Sequence, residues 1–334
     1  MANMKTTALL AVALTWVGLP TLGADFPEQD LDGVIQWRAK GATDTVTRAL
    51  VPLVEPVLGQ QINLSNSHAG ASGVIATEYV HSQPADGYTL LFGAENPQLY
   101  PLLNLLQVDY GDFYPVNVIA RGTAIIVAGE DAPWNSLSEL IAVIKANPGT
   151  IRMGTTGPAG LPTTTGAILR TAAELDVFPI PFDGDGPIIY SLLSGFVDFS
   201  VVGLPAAQRL VNEGRLKALA VFSDEPHPSL PEVPPITREY PELQKYLPFG
   251  PFYGVFVRQE TPDEAKKVLV DAFHQAVASD QFSQFLEDFG ASKMDLSGEE
   301  AEAFLNHWQS TAAWMLHEIG MAKTSPESLG IPRP

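Results

Sequence analysis

Short apolar runs and amphipathic stretches take turns along most of this chain. Val34, Ile35, Gln36 and Trp37 read as a strand, and from Thr43 onward Val46, Leu50, Leu53 and Val57 recur at helical spacing. Pro52 and Pro56 fall inside that helix, where each removes a backbone donor, so a kink or an early end is expected there. Residues 62–64, a glycine-rich turn at 70–73, a helix over 74–80 and a strand over 88–92 repeat the unit.

The middle of the chain carries clearer boundaries. Residues 116–120 and 124–128 read as strands. Ser136-Leu137-Ser138-Glu139 is a capping box that opens a helix closed by Asn147-Pro148-Gly149, with Leu137, Leu140, Ile141 and Ile144 as its buried stripe. A strand at 151–153, a loop at 154–162, a helix from about Thr163, an extended run at 177–181, a helix at 188–193 and strands at 199–202 and 218–222 follow. This alternation predicts an α/β architecture with a mainly parallel sheet. A proline-rich stretch at 226–235 interrupts it. A strand returns at 253–257, Thr261-Pro262-Asp263-Glu264 opens another helix, and the remainder is mostly helical, with a polar tail beyond Ile319.

Composition narrows the class. Lys5 precedes an apolar run at 8–19, then Pro20 and the small pair Gly23-Ala24, the layout of a cleavable secretory signal over residues 1–24 and too short to span a bilayer. The chain has 334 residues, 46% hydrophobic and 17% charged, enough for one large or two medium cores, and no later segment reads as a membrane span. With no cysteine there is no lipid-anchor residue, disulfide or thiolate chemistry. Lys+Arg 19 against Asp+Glu 38 gives a net charge of −19, which opposes binding to nucleic acid or anionic lipid. There is no G-x-S-x-G elbow, no H-E-x-x-H and no phosphate-binding loop, and the six histidines lack ligand spacing. No enzyme activity, metal or cofactor is therefore expected.

Several segments together carry a resemblance: Gly41-Ala42-Thr43-Asp44, Gly70-Ala71-Ser72-Gly73, Asp86-Gly87-Tyr88-Thr89-Leu90-Leu91, Leu99-Tyr100-Pro101, Ala146-Asn147-Pro148-Gly149, Gly203-Leu204-Pro205 and Leu230-Pro231-Glu232-Val233-Pro234. In order and spacing the chain resembles the Bug (TctC-like) solute-binding proteins of tripartite tricarboxylate transporters, over essentially its whole mature length. The resemblance implies a two-lobed Venus-flytrap fold of periplasmic-binding-protein type, with a hinge and a ligand cleft between the lobes. Lobe 1 is expected over 25–123 and 250–334, and lobe 2 over 124–249. It also implies a carboxylate held largely by backbone amides of two loops that lead into helices, a geometry that suits anions because the first amides of a helix are unpaired.

The first such loop is Trp37-Arg38-Ala39-Lys40-Gly41-Ala42-Thr43-Asp44. Gly41 would admit the ligand to the backbone. Thr43 and Asp44 stand at the helix start, where helix capping and ligand contact are both open readings. Lys40 occupies the place of the first of two glycines in the family pattern, and Arg38 takes a position more often small; either would add positive charge, or Arg38 would simply face solvent. Trp37 would stack on a ring or pack. The second loop carries Thr155, Thr156 and Gly157 where the family has paired small hydroxyl residues, and Pro158-Ala159-Gly160-Leu161 replaces more polar residues. Gly203, Glu95 with Asn96, and Asp183 of the acidic turn Phe182-Asp183-Gly184-Asp185-Gly186 are further wall candidates; the acidic pair of that turn would accept an ammonium or hydroxyl from the ligand, or, the reading favoured by residue type, form a solvated turn.

What the resemblance implies is a monomeric periplasmic protein without a membrane anchor. It would capture a small carboxylate and deliver it to membrane subunits of TctA and TctB type. Presentation to a sensor kinase and, from a different class, a periplasmic hydrolase are the alternatives. Dicarboxylates, tricarboxylates, amino acids and aromatic acids all remain open as ligands.

Overall fold

The computed structural model describes residues 26–67, 71–247 and 249–334. The expected signal segment at 1–24 lies outside the described residues. In chain order the elements begin β1 (Leu31–Ile35), α1 (Ala42–Leu58), β2 (Ile62–Asn66), α2 (Val74–Ser82), β3 (Thr89–Gly93), β4 (Phe113–Arg121) and β5 (Ala124–Gly129). They continue with α3 (Leu137–Ala146), β6 (Arg152–Thr155), α4 (Leu161–Ala172), β7 (Phe178–Pro181), α5 (Asp185–Leu193), β8 (Phe199–Gly203), α6 (Leu204–Asn212) and β9 (Leu216–Val221). β10 (Phe252–Arg258), α7 (Asp263–Val277), α8 (Asp280–Phe289), β11 (Ser292–Leu296) and α9 (Gly298–Glu318) complete the chain.

The strands form two sheets, one in each lobe of a two-lobed α/β fold: a six-stranded sheet ordered β11-β4-β10-β3-β1-β2 and a five-stranded sheet ordered β7-β6-β8-β5-β9. Neither is mainly parallel. β1 pairs in parallel with β2 and β3, and β6 with β7 and β8. β10, β11 and β5 pair antiparallel with their neighbours. The strand–helix alternation marks the parallel units correctly, but β5 and β10, which follow passages between lobes, enter their sheets against the direction of the parallel strands.

Those passages lie side by side. The Gly122 amide donates to the Pro251 carbonyl at 2.7 Å, and the Leu204 amide donates to the Thr123 carbonyl at 2.7 Å. A Cβ at Gly250 would overlap the Gly122 carbonyl oxygen, so glycine is required there by space alone. Gly250→Ala is expected to cost about 1–3 kcal/mol by overpacking two backbones, against no loss for Gly186→Ala. No atom lies near a Cβ placed at Gly186. Urea denaturation of the two variants measures the difference.

α1 runs to Leu58 through both prolines. Pro52 and Pro56 are exposed and one turn apart on the solvent face, so the carbonyls that lose their donors can bond water, while Val46, Leu50, Val51, Val54 and Leu58 hold the opposite face in the core. At α3, Ser136 Oγ accepts from the Glu139 amide at 3.2 Å, whereas Glu139 returns to the Asn135 amide at 2.6 Å, one residue before a strict capping box.

Among the described residues three apolar clusters result. One belongs to the first sheet and its α1–α7 layer, and one to the α5–α6 face of the second sheet. The third joins both lobes: it takes Leu91, Tyr110 and Phe256 from the first, Ile126, Phe199 and Val201 from the second, and Trp308 and Met315 from α9. Trp308 stacks on Phe249 with ring centroids 5.3 Å apart and meets the edge of Phe252 at 5.6 Å.

Candidate functional site

The first wall is built where β1 ends. Gln36, fully buried, donates through Nε2 to the Tyr100 hydroxyl at 2.8 Å and accepts from the Ala94 amide through Oε1 at 3.0 Å. It thereby ties the end of β1 to the turn after β3 that carries Glu95. Beyond it the chain loops through Trp37–Gly41 into α1. The first intrahelical bond of α1 runs from the Thr45 amide to the Gly41 carbonyl, so the amides of Ala42, Thr43 and Asp44 precede the helical ladder. Asp44 does not line the cavity. Its Oδ2 accepts from the Lys40 amide at 2.7 Å, and its Oδ1 accepts from Arg48 at 2.7 Å and Asn66 at 2.9 Å. Burial alone would raise its carboxyl, but these bonds outweigh it and hold Asp44 below the usual carboxylate range. Lys40 has φ 68, the left-handed region that favours glycine.

The second wall comes from the other sheet. The amides of the loop after β6 are largely engaged within the protein: the Thr156 amide donates to Thr163 Oγ1 at 3.0 Å, the Ala159 amide to Ser72 Oγ of the other lobe at 3.1 Å, and the Gly160 amide to the Gly157 carbonyl at 2.9 Å. Pro158 and Pro162 have no amide hydrogen. What this loop turns to the cavity is Thr156, Gly160 and Leu161, at the start of α4. Beside it, α5 begins at Asp185, whose Oδ2 accepts from the Gly203 amide at 3.1 Å. An acidic side chain of the protein thus already occupies the N-terminus of α6.

Between these walls lies a cavity of about 780 Å³. Of the sequence candidates, Trp37, Arg38, Ala39, Lys40, Gly41, Thr43, Glu95, Thr156 and Asp183 line it. Asp44, Thr155, Gly157 and Gly203 do not. Thr155 ends β6 and Gly203 ends β8, both against the sheet, and the Gly203 amide is held by Asp185. Asn96 reaches across behind the cavity, its Nδ2 donating to the Ala159 carbonyl at 2.7 Å. A shallower depression of about 520 Å³ borders the β2 edge around Asn63, Ser65 and Tyr79, within one lobe, and no helix begins there.

Arg38 and Asp183 meet across the cleft at 2.7 Å, with side chains 48% and 65% exposed. Such a pair contributes little in water, so Arg38→Gln is expected to change unfolding free energy by at most about 1 kcal/mol, measured by urea denaturation of the ligand-free protein. A larger loss would mean that the pair holds the lobes together.

Reasoning from the sequence passed over Tyr253, Tyr190, Arg209 and Pro251, and weighed Asp185 only as one of the acidic pair, though all five are on the cavity wall. Tyr253 sits on β10, far along the chain from either loop, and reaches the cleft only through long-range pairing. Asp185 stood in the acidic turn already noted, two residues from the one selected. Glu95 is 4% exposed, and burial pushes its carboxyl up to about 8, with the Asp185 charge adding to the effect. Asp185 is half-buried as a residue, but its carboxyl is turned inward; desolvation lifts it to about 6 against the opposing Gly203 bond. Because Asp185 ionises first, its charge opposes ionisation of Glu95 and not the reverse. Among the described residues no group of His, Asp, Glu or Cys could hold a metal ion, and no helix is long and apolar enough to cross a membrane.

Residues 46–321 match the family described as Tripartite tricarboxylate transporter family receptor. Protein BugT of Bordetella pertussis is 27% identical over 329 residues, covering 95% of this chain and 99% of that protein. The structure of the periplasmic binding protein BugD superposes with a TM-score of 0.83 at 26% identity, over 90% of this chain and all of BugD. MatC from Rhodopseudomonas palustris, solved with bound malate, superposes with a TM-score of 0.78 at 24% identity, over 88% of this chain and 100% of MatC. At that identity the likeness to MatC speaks for the fold.

Proposed function

Since the chain belongs to the tripartite tricarboxylate transporter receptor family, of periplasmic solute-binding proteins rather than enzymes, we propose that it captures a small carboxylate between its lobes and delivers it to the membrane subunits of such a transporter. The observation that carries this reading is that α1 and α4, one in each lobe, both begin at the same cavity. The unpaired amides and the helix dipole there favour an anion. Malate in MatC and adipate in another R. palustris neighbour are of the same chemical class.

In this reading the contacts are the amides after Gly41, the Thr43 and Thr156 hydroxyls and the Leu161 amide, with Trp37 and Ala39 as apolar wall and Lys40 as a flexible cation. Arg38 and Asp183 bridge the cleft, and Glu95 faces the ligand. Lobe 1 is taken as 25–123 with 250–334 and lobe 2 as 124–249, closing by a hinge at the paired passages, in a monomeric, leader-directed periplasmic protein. A sensor kinase as recipient stays the second reading.

A thermal-shift screen against organic acids tests capture: at a hundred times the Kd, one ligand adds about 2.7 kcal/mol, a rise of several degrees. No shift with any carboxylate would sink it. Delivery is tested by uptake of the identified acid, which should fall when the gene is removed.

A further inference from the structure

We propose that part of this cavity is a cation subsite, in which Glu95 from one lobe and Asp185 from the other close on a protonated amine of the ligand, with the Tyr253 hydroxyl and Thr156 Oγ1 as neutral partners. The inference rests on the interlobe cavity being the binding site and narrows the ligand to amine-bearing carboxylates.

Three polar side chains on this wall are more than nine-tenths buried and hold an atom without a partner among the described residues. Glu95 Oε2, Thr156 Oγ1 and the Tyr253 hydroxyl belong to residues 4%, 6% and 3% exposed. Buried polar groups are seldom left unpaired, and several around one cavity point to a ligand that completes them. Glu95 and Asp185 accept once ionised, and the two hydroxyls can accept as well; an ammonium brings three donors and one positive charge.

The sign of the charge follows from what is absent nearby. Of the basic residues on the cavity wall, Arg38 is engaged by Asp183 and Arg209 by Glu213 at 2.6 Å, while Lys40 and Arg215 form no ion pair with Glu95 or Asp185. Among the described residues no basic group holds down either the Glu95 or the Asp185 carboxyl, and both are pushed up by desolvation. A second carboxylate placed there would meet two acids in a medium of low dielectric; an amine would relieve both. The ligand's own carboxylate is left to the α1 amides and Lys40. Because the two acids come from opposite lobes, an amine between them also favours closure, whereas the empty pair resists it once ionised.

Calorimetric titration at neutral pH with glutamate and γ-aminobutyrate, against glutarate and butyrate, tests the subsite, with putrescine as a carboxylate-free arm. The amine-bearing acid of a pair should bind at least about tenfold tighter and release a proton, read by repeating the titration in a buffer of different ionisation enthalpy. Glu95→Gln should bring the pair within about threefold of each other; Asp185→Asn serves if that variant does not fold, and proton release needs no variant. Amine-free acids binding as well or better, or better still as pH falls, would make Glu95 a proton donor to a carboxylate and overturn the subsite while leaving carboxylate capture standing. Putrescine binding alone would keep the subsite and sink carboxylate capture. Binding of none of these would sink both.

Discussion

Gly41→Val is expected to abolish ligand-dependent thermal stabilisation while the ligand-free protein still folds. Gly41 has φ −77 and ψ 173, extended backbone that any residue adopts, so no strain is introduced. A Cβ there would meet only the Arg38 carbonyl oxygen, at 3.2 Å, and the remaining bulk would stand in the cavity in front of the α1 amides. Valine is a poor N-cap, which costs the ligand-free protein about 1 kcal/mol, a few degrees at most. The ligand response, worth about 2.7 kcal/mol at a hundred times the Kd, should disappear entirely. A thermal shift equal to that of the unaltered protein would remove the first loop from the site.

The second large effect is on pH. Glu95 and Asp185 have folded-state values of about 8 and about 6, above their ordinary 4.5 and 3.8. The folded protein therefore holds protons that the unfolded chain has released, and stability is greatest below the unfolded values and is lost as pH rises towards 8. Carboxyls held low, such as Asp44 and Glu318, act with the opposite sign but have finished titrating below their ordinary values. His227, lowered by burial, opposes the trend up to about 6.5. The ligand-free thermal midpoint should fall by roughly 5–10 °C between pH 5 and pH 8, and Glu95→Gln should flatten most of that slope. A midpoint that rises across this interval in the unaltered protein would mean that these carboxyls are solvated.

Much of this was legible from residue order. The stripe Leu137, Leu140, Ile141 and Ile144 is buried as the helical period requires, because amphipathic spacing reports burial directly. The place of Lys40 was recognisable as one that usually takes glycine, and its positive φ gives the reason. What residue order did not disclose was tertiary. Whether Pro52 and Pro56 break a helix depends on which face meets water. Whether the Thr156 and Gly160 amides are available depends on Thr163 and Gly157 claiming them first. Strand direction in the two sheets depends on where the chain passes between lobes, and the arrival of Tyr253 beside Glu95 depends on β10 pairing with β3.

The apolar cluster that joins both lobes through Trp308 and Phe249 has a mechanical meaning. A greasy seam behind the cleft cannot be pulled apart without wetting it, so the jaws rock through a small arc instead of swinging freely. It also ties their fates on heating: each half has a smaller interior of its own but loses the shared one once the other melts, and the molecule should come undone in one step.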